Sequence, residues 1–341
     1  MSRPRISIIG GGVAGLTLAA TLDPTRHHVT LHEQTPGRFG LRTALGMWPS
    51  AQCVLQELGL RSLLVAGSDV SGGVLFDLDG DRLAAPPAGT PLRLVGRTDL
   101  MAALDGAVPA TVRRVTGRVT DPDSLEADLV VGADGVHSIV RRHGWGAAGT
   151  TRLTPTLAVR GLVTPGDEPY GEFWGRGALF GITPVPGDRT NWFCAFDSDL
   201  GPRDVPLDRA MAAARDRFAG TAVPIRTVLH RLDPETTLAQ RIWLAPPLGC
   251  YRLGRTVLIG DAAHAMRPNL GRGACEAMVD AWTLGRLLNR TDIESALRGY
   301  GRRRTVLSQL ARTGSSMMSA IATTQRFPAA RDALLRSLPL G

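Results

Sequence analysis

The chain is 341 residues long, with 39 basic and 31 acidic residues and a formal net charge of +8 at pH 7. That length exceeds what one hydrophobic core usually serves, so two closely packed domains are expected, and 43% hydrophobic with 21% charged residues excludes a disordered chain. Every basic residue is arginine, which excludes mechanisms built on a lysine ammonium, such as a Schiff base or a P-loop phosphate clamp.

The positive charge is spread out. Its one dense run, Arg302 to Arg304, falls in a helical pattern and reads as a solvated helix face, so no nucleic-acid partner is expected. Cys53, Cys194, Cys250 and Cys275 lie far apart without CxxC spacing, which signals neither a zinc site nor a disulfide framework, and no metal is expected. A strand begins within a few residues of Met1, leaving no room for a signal peptide, and no apolar run approaches the roughly 18 residues of a membrane span. A cytoplasmic monomer or homodimer is the expectation.

In chain order, Ile6 to Ile9 is a short apolar run ending in Gly10-Gly11-Gly12 and followed by a helical pattern through Leu16, Leu18, Ala19 and Leu22. Val29 to His32 reads as the next strand, completing a βαβ unit of a parallel sheet. The turn between them, Gly10-Gly11-Gly12-Val13-Ala14-Gly15, is a GxGxxG sequence whose backbone amides and helix dipole hold a pyrophosphate. Glu33, at the end of the second strand, stands near the spacing of an acid that accepts ribose hydroxyls. Alone, this pair says only that a dinucleotide binds. Ala127 to Val131 is another apolar strand, closing on Gly132-Ala133-Asp134-Gly135, where Asp134 either fixes neighbouring amides in an Asx turn or accepts a ribose hydroxyl.

From Thr156 to Asp197 the texture changes to alternating strands separated by turns such as Pro186-Gly187-Asp188, the pattern of a mostly antiparallel sheet. Phe173, Trp174, Phe180, Trp192, Phe193 and Phe196 fall on it, and strand alternation sends about half of them to each face. Arg160 and Arg176 meet either a substrate anion or a salt bridge. After Arg255, the buried strand Thr256 to Ile259 delivers Gly260-Asp261. A glycine-punctuated loop then opens the helix Cys275 to Leu288, whose N-terminus favours an anion. His264 reads as a structural hydrogen-bonding group rather than a general base. Helical patterns from Ala296 to Met317 and from Ala329 to Leu338 end the chain.

These three motifs, in this order and at these separations, resemble the group A flavoprotein monooxygenases, the family of para-hydroxybenzoate and salicylate hydroxylases. Ala44 to Leu60, Gly96 to Leu100, Phe173 to Gly177 and Ala277 to Leu288 are also similar to segments of that family, so the resemblance spans essentially the whole chain. It implies an α/β fold with a Rossmann-like FAD-binding domain, built on a parallel sheet, over residues 1–70, 90–155 and 250–300. A mostly antiparallel substrate-binding sheet over 71–89 and 156–249 and C-terminal helices over 301–341 complete the implied organisation.

The resemblance also implies roles. Gly10, Gly12, Val13, Ala14, Gly15 and Glu33 bind the ADP half of FAD. Arg97 and Arg42 reach the pyrophosphate or ribityl region. Asp134 serves both FAD and a transient NADH or NADPH. Gly260 and Asp261 hold the ribityl chain, and Gly271, Arg272, Gly273 and Ala274 face the flavin ring, with Arg272 standing where the family often has glutamine. Pro268 and Gly271 shape the flavin site. Arg160, Trp174, Phe180 and Trp192 are the substrate-binding candidates. The implied activity inserts one oxygen atom into a small organic, aromatic substrate through a flavin C4a-hydroperoxide, consuming NAD(P)H. Epoxidation or Baeyer–Villiger oxidation by the same intermediate, a flavin oxidase or reductase, and a non-catalytic dinucleotide-binding protein are the alternatives.

Overall fold

The strand Arg5–Ile9 is buried at every residue after Arg5, the pattern of a central strand. In the computed structural model, which describes residues 3–37, 43–70, 73–85, 92–201 and 205–337, it pairs in parallel with His28–Glu33 on one side and Leu129–Gly132 on the other. Arg42 lies outside the described residues. Thr256–Leu258 and Arg113–Thr116 extend the sheet in parallel, and Arg252–Leu253 closes one edge antiparallel, giving six strands. The helix Val13–Thr21 lies against this sheet and packs on the helix Gly273–Leu288. Their contact is close because residue 285 is glycine: a β-carbon there would stand 2.7 Å from Thr21 Cγ2.

A second sheet has seven strands, in the order Thr237–Leu244, Arg152–Val163, Thr190–Asp197, Ala178–Pro184, Gly171–Gly175, Val74–Asp77 and Arg82–Ala84. It is antiparallel apart from the pairing of Gly171–Gly175 with Val74–Asp77. The strand Arg152–Val163 begins upstream of the expected domain boundary at 155/156, and the helix Ile293–Ala322 runs unbroken through the one expected at 300/301. A small sheet of Ala44–Met47, Arg93–Gly96 and Ser68–Asp69, not anticipated from sequence, is interleaved in the chain with strands of the two large ones. Asn191 bonds it to the seven-stranded sheet: its Oδ1 accepts the Ala44 amide at 3.2 Å while its Nδ2 donates to Thr183 Oγ1 at 2.8 Å.

Register decides which aromatic rings face where. Trp192, Cys194 and Phe196 share one face of their strand with Leu157, Val159, Phe173 and Phe180, and that face packs against the helices Leu207–Arg217 and Val223–His230. Phe180 stacks on Trp192 at 5.9 Å between centroids and meets Phe218 edge-on at 5.4 Å. The expectation that Phe180 and Trp192 line the substrate site is therefore corrected: both are fully buried on the side turned away from the parallel-sheet domain. The opposite face carries Arg160, Trp174, Leu179, Phe193 and Ala195. Trp174, Leu179 and Ala195 pack there beneath Met318 and Ala322 of the long helix and Leu335 of Pro328–Ser337.

Truncating Trp192 to alanine removes a large side chain from a closed core, so the W192A variant is expected to lose about 3–5 kcal/mol of stability. Urea titration measures the loss, and FAD affinity of the folded fraction is expected to stay at the wild-type value.

Candidate active site

The first strand ends in a turn that only glycine permits. Gly10 has φ +107°, and a β-carbon on it would meet the Ala133 carbonyl oxygen at 2.3 Å. Gly15 has no room either, since its β-carbon would stand 1.8 Å from the Gly10 carbonyl oxygen. Gly12 is the reverse case: no atom lies within 4 Å of where its β-carbon would be. Two glycines thus close the turn and the third leaves its outer side open to a ligand, the division of labour a pyrophosphate-binding turn requires. Glu33 locks the arrangement, accepting the Gly11 amide at 2.7 Å and the Thr35 amide at 2.8 Å.

The contact from Gly10 to Ala133 brings the second motif alongside the first. Asp134 Oδ2 accepts the amides of Ile139, at 2.7 Å, and Val140, so the carboxylate organises the start of the helix Ile139–Gly144, and its Oδ1 is buried without a partner. Burial pushes the Asp134 carboxyl above its ordinary range, opposed by Ser138 and these amides. Gly135 beside it faces open space. Arg141, fully buried, spends its guanidinium on backbone carbonyls alone, donating to Ala148, Ala262, Ala263 and Pro246. It ties the second motif to the third.

The third motif is wedged in place. Gly260 has φ +60°, and a β-carbon on it would stand 3.0 Å from Ala14 Cβ and 3.1 Å from Ala277 Cβ. Residues 246 apart in sequence therefore share one wall. Asp261 follows, open to water although protein surrounds it on most sides, as befits a group on the wall of a deep cleft. Burial raises its pKa, and His264 partly offsets this.

Behind the motif lies a buried network of charges. Asp280 Oδ2 accepts from His264 Nε2 at 2.6 Å and from the Gly260 amide at 3.0 Å, while its Oδ1 accepts from Arg304 Nε at 2.7 Å. Arg304 also donates to Glu276, which in turn accepts from Arg272 Nε at 3.2 Å. Burial disfavours the charged form of Asp280, but His264 and Arg304 outweigh it and hold the carboxyl below its ordinary value of 3.8. Burial likewise opposes the His264 imidazolium, and Asp280 outweighs it, raising His264 above 6.5.

Arg272 leads out of this network to the loop itself. Its guanidinium lies over the Trp48 ring at 5.5 Å, and Trp48 Nε1 donates to the Leu270 carbonyl at 3.0 Å. The turn Pro268–Leu270 closes on Gly271, in the left-handed region at φ +58°, and the helix Gly273–Leu288 starts two residues later. Gly271 and Gly273 both face open space. A helix N-terminus with bare amides stabilises negative charge without a lysine.

Just before this loop, Arg267 reaches the seven-stranded sheet, its Nη1 donating to Thr156 Oγ1 at 3.1 Å. Arg97 opens the helix Arg97–Ala107, with its amide on the Thr43 carbonyl at 2.7 Å. Burial lowers the pKa of both Arg97 and Arg160, and the Arg97 charge lowers that of Arg160 further. Arg160 Nη2 donates to Gln240 Oε1 at 3.2 Å, its Nε is buried without a partner, and among the described residues no carboxylate pairs with it. Sequence reasoning singled out Arg160 and Trp174 on this face but passed over Glu172 and Gln240, and it missed the network of Asp280, Glu276 and Arg304 entirely. A signal for the acids was present: Glu276 and Asp280 sit four apart on the buried side of a helix, where charges need partners.

The open outer side of Gly12, the exposed Asp261 and the uncovered helix N-terminus at Gly273 are residues that would hold FAD, and the fold defines a flavin-dependent oxidoreductase. Residues 96–311 match the family described as FAD binding domain, and the chain belongs to that family of FAD-dependent monooxygenases. It is 32% identical over 313 residues to the 3-amino-4-hydroxybenzoate 2-monooxygenase of Streptomyces cremeus, covering 82% of this chain and 77% of that one. The FAD-dependent urate hydroxylase of Klebsiella pneumoniae is 29% identical over 335 residues, covering 86% and 84%. The structure of Klebsiella pneumoniae HpxO complexed with FAD and uric acid superposes with a TM-score of 0.86 at 26% identity, covering 98% of this chain and 93% of that one. Among the described residues, no helix is long and apolar enough to cross a membrane.

Replacing Asp261 with alanine is expected to weaken FAD binding about ten- to a hundredfold, the worth of hydrogen bonds to a charged group, measured by titrating FAD into apoprotein. Unchanged affinity would remove Asp261 from the site. For Asp280, stabilisation from its lowered pKa is present above 3.8 and lost as pH falls through the folded value. Stabilisation from the raised His264 is present below 6.5 and lost as pH rises past its folded value. Asp280→Asn is therefore expected to cost most near pH 5 to 6, about 3–5 kcal/mol, and less near pH 9. Melting temperatures across that range check it, and a pH-independent gap would contradict an imidazolium–carboxylate pair.

Proposed function

We propose that the enzyme spends NADH or NADPH and oxygen to hydroxylate a small, electron-rich aromatic compound, held between the Pro268–Gly271 turn and the sheet face that carries Arg160. In this reading residues 1–70, 90–155 and 250–300 bind FAD and residues 71–89 and 156–249 bind the substrate. Bound FAD supplies the acceptor for the nicotinamide hydride and the activation of oxygen. The protein's own residues position, dry and polarise.

The observation that carries the proposal is Arg160. Arg141 meets the cost of its burial with four carbonyls, whereas Arg160 has Gln240 and a buried Nε without a partner, so its desolvation is left largely uncompensated. An anionic ring substituent, carboxylate or phenolate, supplies the missing charge, and Arg97 reinforces the attraction. Stabilising a phenolate also enriches the ring carbons ortho and para to it in electron density, where an electrophilic oxygen adds. The solved relative that binds uric acid with FAD, and the relative named for 3-amino-4-hydroxybenzoate, are consistent with such a substrate. On the FAD side, the glycines at 12, 271 and 273 leave amides uncovered, and the arginine-rich surface draws in an anionic nicotinamide dinucleotide.

Enzyme loaded with FAD is expected to oxidise NAD(P)H faster when a suitable phenolic acid is present and to return that acid one oxygen atom heavier, with the label of ¹⁸O₂. NMR of the product separates ring hydroxylation from epoxide or ester. Hydrogen peroxide as the sole oxygen product with every aromatic acid would overturn the proposal. Arg160→Ala is expected to raise KM for an anionic substrate about ten- to a hundredfold while leaving FAD content unchanged.

A further inference from the structure

One row of the substrate-facing sheet surface is built with opposite polarities at its two ends. Register places Glu172 opposite Gly181, Gly181 opposite Phe193, and Phe193 opposite Arg160. Paired residues in a sheet point to the same face, so all four belong to the face that carries Trp174 and Arg160. Phe193 leans over Gly181, where a β-carbon would stand only 2.1 Å from its Cζ. The row therefore runs acid, aromatic ring, guanidinium, and its ends are three strand spacings, roughly 14 Å, apart at the backbone.

Glu172 is the unexplained member. It is enclosed, and burial pushes its carboxyl above the ordinary range while the Trp174 hydrogen bond pulls the other way. Oε2 accepts from Trp174 Nε1 at 2.8 Å. Its other oxygen has no partner, and no cation pairs with it, among the described residues. By register its neighbours on this face are Leu75, Leu179, Phe193 and Thr183, whose hydroxyl is already taken by Asn191 Nδ2. An indole needs only a neutral acceptor, which glutamine supplies as well; a half-buried carboxyl with one oxygen left for another donor points to a ligand.

Resting on the reading of this cleft given above, we propose that the substrate is bipolar: an oxyanion or carbonyl meets Arg160, an aromatic ring stacks on Phe193, and an amine or hydroxyl at the far end donates to Glu172. The span calls for one ring with extended substituents or two fused rings. Glu172 then selects among aromatic acids, a choice that Arg160 alone does not make.

The test uses FAD-loaded enzyme and matched aromatic carboxylates with and without a distal donor: 4-aminobenzoate against 4-methylbenzoate, and 6-hydroxy-2-naphthoate against 2-naphthoate. Perturbation of the flavin absorbance reads the dissociation constants without turnover. In at least one series the donor-bearing member is expected to bind about tenfold tighter. Glu172→Gln keeps an acceptor for Trp174 and is expected to erase that preference, whereas Arg160→Ala weakens both members together. Equal binding within both pairs, a preference that survives Glu172→Gln, or no binding by any of the four overturns the proposal. The wild-type comparison stands even if a variant fails to fold. Failure to bind FAD at all would instead overturn the functional reading on which the proposal rests.

Discussion

A β-carbon at Gly260 would crowd two alanines on a backbone at φ +60° that side chains rarely adopt, and the rest of the site is arranged around that fact. Ala14 presses from the helix that follows the first strand and Ala277 from the helix that follows the flavin loop, each about 3 Å from where the missing atom would be. Because both neighbours are alanine, and because Gly285 admits Thr21 and Leu18 further along, the two helices lie close enough to form one wall. The helix that follows the Gly10 to Gly15 turn and the acidic step at Gly260-Asp261 are thereby brought together. Were the helices held apart by larger side chains, both motifs would persist in sequence and bind nothing in common.

Charge is handled in two contrasting ways. Behind Gly260, His264, Asp280, Arg304 and Glu276 are buried, but each cation has a carboxylate and each carboxylate a cation, with a backbone amide of the motif enlisted as well. That network holds the motif rigid, and through Arg272 and Trp48 it extends to the carbonyl of Leu270. On the seven-stranded sheet, Arg160 and Glu172 are half-buried and lack ionic partners among the described residues. Burying charge is costly, and the two places meet that cost differently.

Arg141 shows how far a motif's meaning depends on its surroundings. In sequence it is the arginine that follows Ser138 in a turn-and-helix pattern. In the fold it is fully buried, gives its hydrogen bonds to four carbonyls from three segments, and joins the second motif to the third with no acid in the exchange. Burial lowers its pKa to about 10, and the carbonyl dipoles do what a counter-ion would do elsewhere.

The amino-acid sequence determined the parallel βαβ core, the antiparallel sheet, the long helix after the flavin loop and the FAD motifs, because these depend on local periodicity and on glycines whose reason for being is a turn a few residues long. It marked Arg160 and Trp174 as candidates for the same kind of reason: a polar or amphipathic group on a strand. It did not determine which face of that strand the helices Leu207–Arg217 and Val223–His230 cover, and so Phe180 and Trp192 turned out to be core. Alternation fixes two faces but assigns neither to the core until neighbouring strands set the register and helices cover one of them. Nor did it reveal that Asp280 and Glu276 share Arg304, or that Glu172 and Arg160 end a single row. Those arrangements join residues 12 to 28 positions apart across four strands and two helices, and only packing and strand register align them.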